Sequence, residues 1–229
     1  MSSRREPKTL EWALAIGQKA ASWRFYRFIR FLIRALLFRW VRVEIQGAEH
    51  LAHEGPVIVA PVHRSNLDAP LVASAGPRQM RALAKQSLFV NPVSAWACAA
   101  LAAIPVRRGE ADREAMRSAR TILDAGEMMI VFPEGTRQSG AEVAGVFDGV
   151  SYLASKTGAV IVPVGIAGTE SALPAGAKFI RRSRVSIVVG PPIAPPAGRM
   201  SRPALTAFSE DVGARLQDAF DQANAAISC

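Results

Sequence analysis

The sequence predicts an α/β fold: a single domain with a mixed, largely parallel sheet flanked by helices, preceded by an N-terminal amphipathic helical segment. Three observations carry that expectation. After Gly47, short apolar runs at 57–60, 128–132 and 160–164 alternate with segments of helical spacing. Those runs are continuously apolar, as in strands covered on both faces, the usual condition of a parallel sheet. Before Gly47 the pattern is helical and rich in arginine instead. The chain is 229 residues long, enough for one full core and at most an appendage. The expected division is residues 1–46 as a helical membrane-association segment and residues 47–229 as the α/β domain.

Taken in order, residues 23–43 read as one helix and 57–60 as a strand. A helix over 67–75 is ended by Gly76-Pro77. Residues 81–85 form a short strand, and Asn91-Pro92 opens an Ala-rich helix through 102, followed by a strand at 104–108. A charged amphipathic helix over 112–125 stops at Gly126. The run at 128–132 is a covered strand, 149–156 a helix, and 160–164 and 184–189 the closing strands. Residues 190–199 are Pro-rich and extended. Pro203 begins a last helix on which Leu205, Phe208, Val212, Leu216 and Phe220 recur as a packing stripe.

Half of the residues are hydrophobic and the formal net charge is +9. That is too apolar for disorder, and the charge points to an anionic partner. The two cysteines, Cys98 and Cys229, are far apart, and Cys98 lies in an Ala-rich apolar stretch. Neither a disulfide framework nor a zinc site is indicated, and no other metal is expected. The first residues carry no signal-peptide pattern.

The partner is narrowed by residues 23–43, where aromatic and aliphatic residues are interrupted by Arg24, Arg27, Arg30, Arg34, Arg39 and Arg42. At about 100° per residue, Phe25, Ile29, Leu32, Ile33, Leu36 and Trp40 share one face and most arginines the other. Such a helix lies in a membrane interface with its cations on anionic headgroups. The alternative is a helix docked on the domain's own core. Nucleic acid is not expected, because the aromatics do not alternate with the arginines as a base-stacking platform.

Two loops carry candidate chemistry. In Pro61-Val62-His63-Arg64-Ser65-Asn66-Leu67-Asp68, His63 sits where a buried strand meets polar residues, and Asp68 follows at the spacing of a turn entering a helix. A carboxylate on one imidazole nitrogen fixes the tautomer and leaves the other nitrogen free to take a proton. The same pair also reads as a loop-end histidine and a helix N-cap. In the second loop, Phe132-Pro133-Glu134-Gly135-Thr136-Arg137, Gly135 lets backbone approach a ligand. Thr136 offers a hydroxyl, and Arg137 a planar fork suited to phosphate. That loop also reads as a surface turn with Arg137 paired to Glu134.

Together these motifs resemble the 1-acylglycerol-3-phosphate acyltransferase family of glycerolipid acyltransferases. His63 and Asp68 match its HxxxxD motif, and residues 132–137 match its FPEGTR motif letter for letter. Ile104-Pro105-Val106-Arg107-Arg108 and Ile161-Val162-Pro163-Val164-Gly165 resemble two further blocks. Lys85, with Leu88 and Pro92 after it, resembles the lysine segment between the first two. The blocks stand in family order over roughly residues 40–220.

The resemblance implies transfer of a fatty acyl group from an acyl-CoA or acyl carrier protein thioester to the free hydroxyl of 1-acylglycerol 3-phosphate. The product would be phosphatidic acid. His63 would be the general base and Asp68 its orienter. Arg137, Arg107 and Lys85, with Glu134, Gly135 and Thr136 shaping the loop, would form the phosphate-binding set. No cofactor is implied, and Ser65 reads as loop structure rather than a nucleophile. The expected location is the cytoplasmic face of the cell membrane, peripheral or monotopic. Glycerol 3-phosphate or another lysophospholipid is the alternative acceptor. A non-catalytic lipid-binding protein on the same scaffold is the alternative from another class. One departure is Val146-Phe147-Asp148-Gly149, where family members often carry a lysine after the phenylalanine.

Overall fold

The computed structural model describes residues 6–106, 111–196, 198 and 200–228. Its centre is a seven-stranded sheet in the order β1-β7-β6-β2-β5-β3-β4. The strands are β1 (Val43–Gln46), β2 (Val57–Pro61), β3 (Met80–Lys85), β4 (Ala103–Val106), β5 (Met128–Ile130), β6 (Val160–Ala167) and β7 (Val185–Val189). From β6 to β4 all neighbours are parallel. β7 runs antiparallel to β6, and β1 parallel to β7. The sheet is therefore mixed and largely parallel, as the apolar runs predict.

Helices follow in chain order as α1 (Leu10–Gly17), α2 (Ala20–Leu32), a π-helical stretch (Ile33–Leu37) and α3 (Phe38–Trp40). After them come α4 (Asp68–Ala75), α5 (Pro92–Ala100), α6 (Ala111–Asp124), α7 (Gly149–Thr157), α8 (Thr169–Ala172) and α9 (Arg202–Ser228). Local chemistry sets several of these ends. The Asn91 side chain accepts from the Val93 and Ser94 amides at 2.9 and 3.3 Å, with Pro92 at the first position of α5. Gly158, at φ 66°, closes α7 in the left-handed region.

Alternation along the central strands divides the core in two. Val57 and Val59 face one side with Met128, Ile130, Val162 and Val164, beneath Leu71 and Val72 of α4. Ile58 and Ala60 face the other with Met129 and Ile161, beneath Ile122 of α6 and Leu153 of α7. α9 contributes to both layers, Val212 to one and Leu216 and Phe220 to the other. A smaller cluster, with Ala13, Phe89, Ala95 and Ala99, ties α1 to α5.

Three differences from the sequence expectation have physical causes. Residues 43–46, expected to belong to the N-terminal helical segment, form edge strand β1. The sheet therefore begins before the expected boundary at residue 47. A four-residue alternating edge strand buried on one side carries too few apolar positions to stand out from a helical pattern. β5 stops at Ile130 because Phe132 already enters the turn. Residues 107–108 of the strand expected at 104–108 lie outside the described residues.

The third difference concerns the faces of the N-terminal helix. Tyr26 is buried and its hydroxyl contacts both the Ala73 carbonyl and the Met80 amide, each at 3.4 Å. Ile33 and Leu37 pack on the core beside it. Arg30 and Arg34 reach back to the domain, donating to Pro77 O at 2.9 Å and Ser74 O at 3.0 Å. They satisfy carbonyls around the C-terminus of α4 that no helical amide reaches. Phe28, Phe31, Leu36 and Trp40 are left exposed. The uninterrupted helical wheel put Ile33, Leu36 and Trp40 on one face, whereas Ile33 meets the core and Leu36 and Trp40 meet solvent, because the π-helical turn shifts the register; arginine stems can also lie along apolar surface.

Backbone approaches backbone closely at Gly165 of β6, where an added Cβ would stand 2.1 Å from the Ala219 carbonyl oxygen of α9. Gly165→Ala must push α9 off the sheet and should cost about 2–3 kcal/mol, lowering Tm by roughly 4–12 °C. Gly145→Ala, which meets open space, should leave Tm within about 1 °C in the same calorimetric experiment.

Candidate active site

β2, β5 and β3 are parallel neighbours, so their C-terminal ends share one edge of the sheet, where loops converge in open α/β folds. His63 leaves that edge two residues past β2, and Asp68 is the first residue of α4. The His63 Nδ1–H donates to Asp68 Oδ2 at 3.0 Å. The same oxygen accepts the backbone amides of Arg64 at 2.6 Å and Ser65 at 2.7 Å. Asp68 is fully buried, while His63 keeps about 20% of its side chain exposed. Phe132 stacks on the imidazole with centroids 3.8 Å apart and planes at 21°. Ring and tautomer are thus held from two sides, and Nε2 is the nitrogen left free. Asp68 does both things the sequence allows, organising the turn before α4 and orienting the histidine.

The second loop is bound to the first through a buried ion pair. Arg64 is 7% exposed and Glu134 1%. Arg64 Nη1 donates to both Glu134 oxygens at 2.9 Å. Glu134 also accepts the His63 amide at 2.8 Å and the Ala144 amide at 3.0 Å. The remaining guanidinium N–H groups reach Gly140 O and Glu142 O, and the group lies 4.8 Å over the Phe220 ring of α9. Glu134 pairs with Arg64 and not with Arg137, and it shapes the loop, the part the resemblance implies for it within the phosphate-binding set. Both its oxygens are occupied internally, and a buried carboxylate beside a phosphate would repel it. Its role is to hold the two loops together.

Arg137 is exposed and makes no ion pair with the described residues. The Gln138 amide donates to His63 O at 2.9 Å, which places Arg137 one residue from the histidine backbone. Thr136 is exposed, and its hydroxyl accepts from Gln138 Nε2 at 3.1 Å. Gly135 has φ 70°, and a Cβ there would stand 3.0 Å from the Phe147 ring, so both turn and packing require glycine. Lys85 is the exposed last residue of β3. It stands two strands from β2, roughly 10 Å across the sheet. Arg107 follows β4 and lies outside the described residues. Asp148 accepts from Ser209 Oγ at 2.8 Å, tying α7 to α9.

Ser65 is buried and its hydroxyl donates to Leu173 O at 2.9 Å, the structural role expected of it. Two residues escaped the sequence reading, Arg64 and the ring of Phe132 as a stacking partner. The available signal for Arg64 was an arginine beside the histidine and an acid in the other loop, since a buried arginine needs a carboxylate. Removing one partner of this pair leaves an uncompensated buried charge. Arg64→Ala and Glu134→Ala should each cost about 3–5 kcal/mol in urea unfolding. The double variant should cost clearly less than the sum of the two.

Residues 42–167 match the family model described as Acyltransferase. The 1-acyl-sn-glycerol-3-phosphate acyltransferase of Bacillus subtilis is 24% identical over 196 residues, covering 84% of this chain and 96% of that protein. The chloroplastic 1-acyl-sn-glycerol-3-phosphate acyltransferase LPAT1 of Arabidopsis thaliana is 26% identical over 175 residues, 74% of this chain and 49% of its own length. The chain thus spans about half the length of this and similar plant relatives. Among solved structures, the 1-acyl-sn-glycerophosphate (LPA) acyltransferase PlsC from Thermotoga maritima superposes with a TM-score of 0.70 at 26% identity, over 92% of this chain and 88% of that one. The family match runs from β1 to the end of β6 and contains both loops that build the site; the chain belongs to the acyltransferase family.

Proposed function

We propose that this chain moves a fatty acyl group from an acyl-CoA or acyl carrier protein thioester to the free hydroxyl of 1-acylglycerol 3-phosphate, giving phosphatidic acid. The observation that carries the reading is the 3.0 Å contact from His63 Nδ1 to Asp68 Oδ2 beside the 132–137 loop. It leaves Nε2 as a base at the sheet edge where an acceptor can reach it. The names of the Bacillus and Arabidopsis relatives state the same acceptor for those proteins.

In this mechanism the acceptor hydroxyl gives its proton to His63 Nε2 as its oxygen attacks the thioester carbonyl carbon. The tetrahedral intermediate then collapses, the C–S bond breaks, and the leaving thiolate takes the proton back from the imidazolium. Asp68 stabilises the imidazolium and does not react. Arg137 holds the acceptor phosphate, with Lys85 at the end of β3 and Arg107 as further cations of the set and Gly135 and Thr136 shaping the loop. Glu134 acts as a positioning residue, through Arg64 and through the His63 and Ala144 amides.

The acceptor and product are lipids, and the protein binds the cytoplasmic leaflet of the membrane as a peripheral or monotopic enzyme. No helix among the described residues is long and apolar enough to cross a bilayer. Support for interfacial attachment comes from exposed Phe28, Phe31 and Trp40 beside exposed Arg24, Arg27 and Arg39. Trp96 of α5, packed on Phe25 at 5.1 Å, and Val93 extend the apolar surface. Residues 1–46 serve this attachment, with β1 also completing the sheet.

His63→Ala should lower turnover by roughly 10²- to 10⁴-fold while leaving Tm and vesicle binding unchanged. Product lipid measured by mass spectrometry, together with thioester release with and without acceptor, reads this directly. Wild-type turnover in the variant would overturn the base assignment. Release that ignores the acceptor would overturn the transfer reaction. Arg137→Ala should raise the KM for the acceptor by about 10- to 150-fold, the equivalent of losing one charge-assisted phosphate contact, with a smaller effect on kcat.

A further inference from the structure

A groove of about 590 Å³ lies between the N-terminal helix and the segment leading into β7. Its lining is Ala35, Leu36, Leu37 and Trp40, with Arg39 and Arg182. Trp40 Nε1–H donates to Ile180 O at 3.2 Å and fastens the two walls together. β7 is antiparallel to β6, so residues 174–184 lie at the edge of the sheet where β6 ends, the edge that also holds His63.

Charge at this place is one-sided. Residues 20–43 contain no acidic side chain, and neither do residues 174–184, which carry Lys178, Arg181, Arg182 and Arg184. Arg184 is paired with Glu44 at 3.4 Å. Arg39 and Arg182 are exposed and form no ion pair with the described residues. Leu36, Trp40 and Phe179 open the same region to solvent at 66%, 51% and 83% exposure. An anion alone would neutralise the arginines and leave that apolar surface wet. A lipid with an anionic headgroup covers both, with the phosphate on the guanidinium forks and the acyl chains along Leu36 and Phe179.

We propose that this groove seats the headgroup of an anionic bilayer phospholipid, which makes residues 174–184 a second membrane-contact element beside the N-terminal helix. The site is separate from the acceptor phosphate site at Arg137. It docks the domain with the His63 edge against the leaflet. This inference rests on the proposed attachment to a membrane leaflet and sets the orientation of the domain on it.

The test is partition of the full chain onto neutral phosphatidylcholine vesicles and onto vesicles with 30 mol% phosphatidylglycerol, a composition of roughly the anionic content at which basic residues bind strongly. Arg39→Gln/Arg182→Gln should weaken binding to the anionic vesicles about 30-fold, near 5-fold per arginine, and flatten its salt dependence. Binding to neutral vesicles should change less than about 2-fold, and Tm should not move. Unchanged partition on anionic vesicles, or an equal loss on neutral ones, overturns the groove. So does displacement from anionic vesicles by millimolar glycerol 3-phosphate, which would make it a free-phosphate site. Phe28→Ser/Phe31→Ser tests the underlying attachment separately: if it binds both vesicles like wild type, the N-terminal membrane contact is wrong whatever the arginine variant does.

Discussion

The Arg64–Glu134 pair is the constraint on which the site depends. The two loops at the sheet edge are separated by about 70 residues in sequence, and neither has regular structure to hold its shape. Glu134 joins them by accepting from Arg64, from the His63 amide and from the Ala144 amide. Bringing both charges out of water is unfavourable, and their mutual attraction offsets that only because nearly every donor and acceptor finds a partner. The return is positional. The backbone of His63 is set by Glu134, its ring by Asp68 and Phe132, and little freedom remains for Nε2.

Around that centre the chain uses its arginines in three ways that composition does not separate. Arg64 and Arg81 are buried on carboxylates, the latter on Glu127 beneath α1. Arg30 and Arg34 serve as caps for carbonyls at the end of α4. Arg24, Arg27, Arg39, Arg137 and Arg182 remain in solvent, available to anionic partners. A net charge of +9 therefore overstates the number of cations free for a partner, since several are used within the fold. Only the last group can meet phosphate.

Most of the sheet was legible in the sequence because central parallel strands are apolar at every position. β2 and β6 have that pattern and were placed within a few residues. β1 was not, since an edge strand exposes half of its residues and Glu44 and Gln46 read as polar helix positions. The His63 and Asp68 pairing was legible because turn chemistry is local, and Asp68 reaches the amides just before it. The identity of Glu134 as Arg64's partner was not legible. Glu134, Thr136 and Arg137 look alike as polar letters in a glycine turn until the fold shows which of them points inward.

By itself the sequence determined the strand and helix periods, the local geometry that brings Asp68 to His63, and the family resemblance carried by two short motifs. These depend on neighbours within about one helical turn or on letters alone. Tertiary structure decided which charges are buried and which are free, which apolar side chains of the N-terminal helix meet the core and which meet solvent, and that the segment before β7 closes a groove against that helix. Each of those outcomes is set by contacts between residues far apart in the chain, where burial and pairing select among side chains that local propensity treats as equivalent.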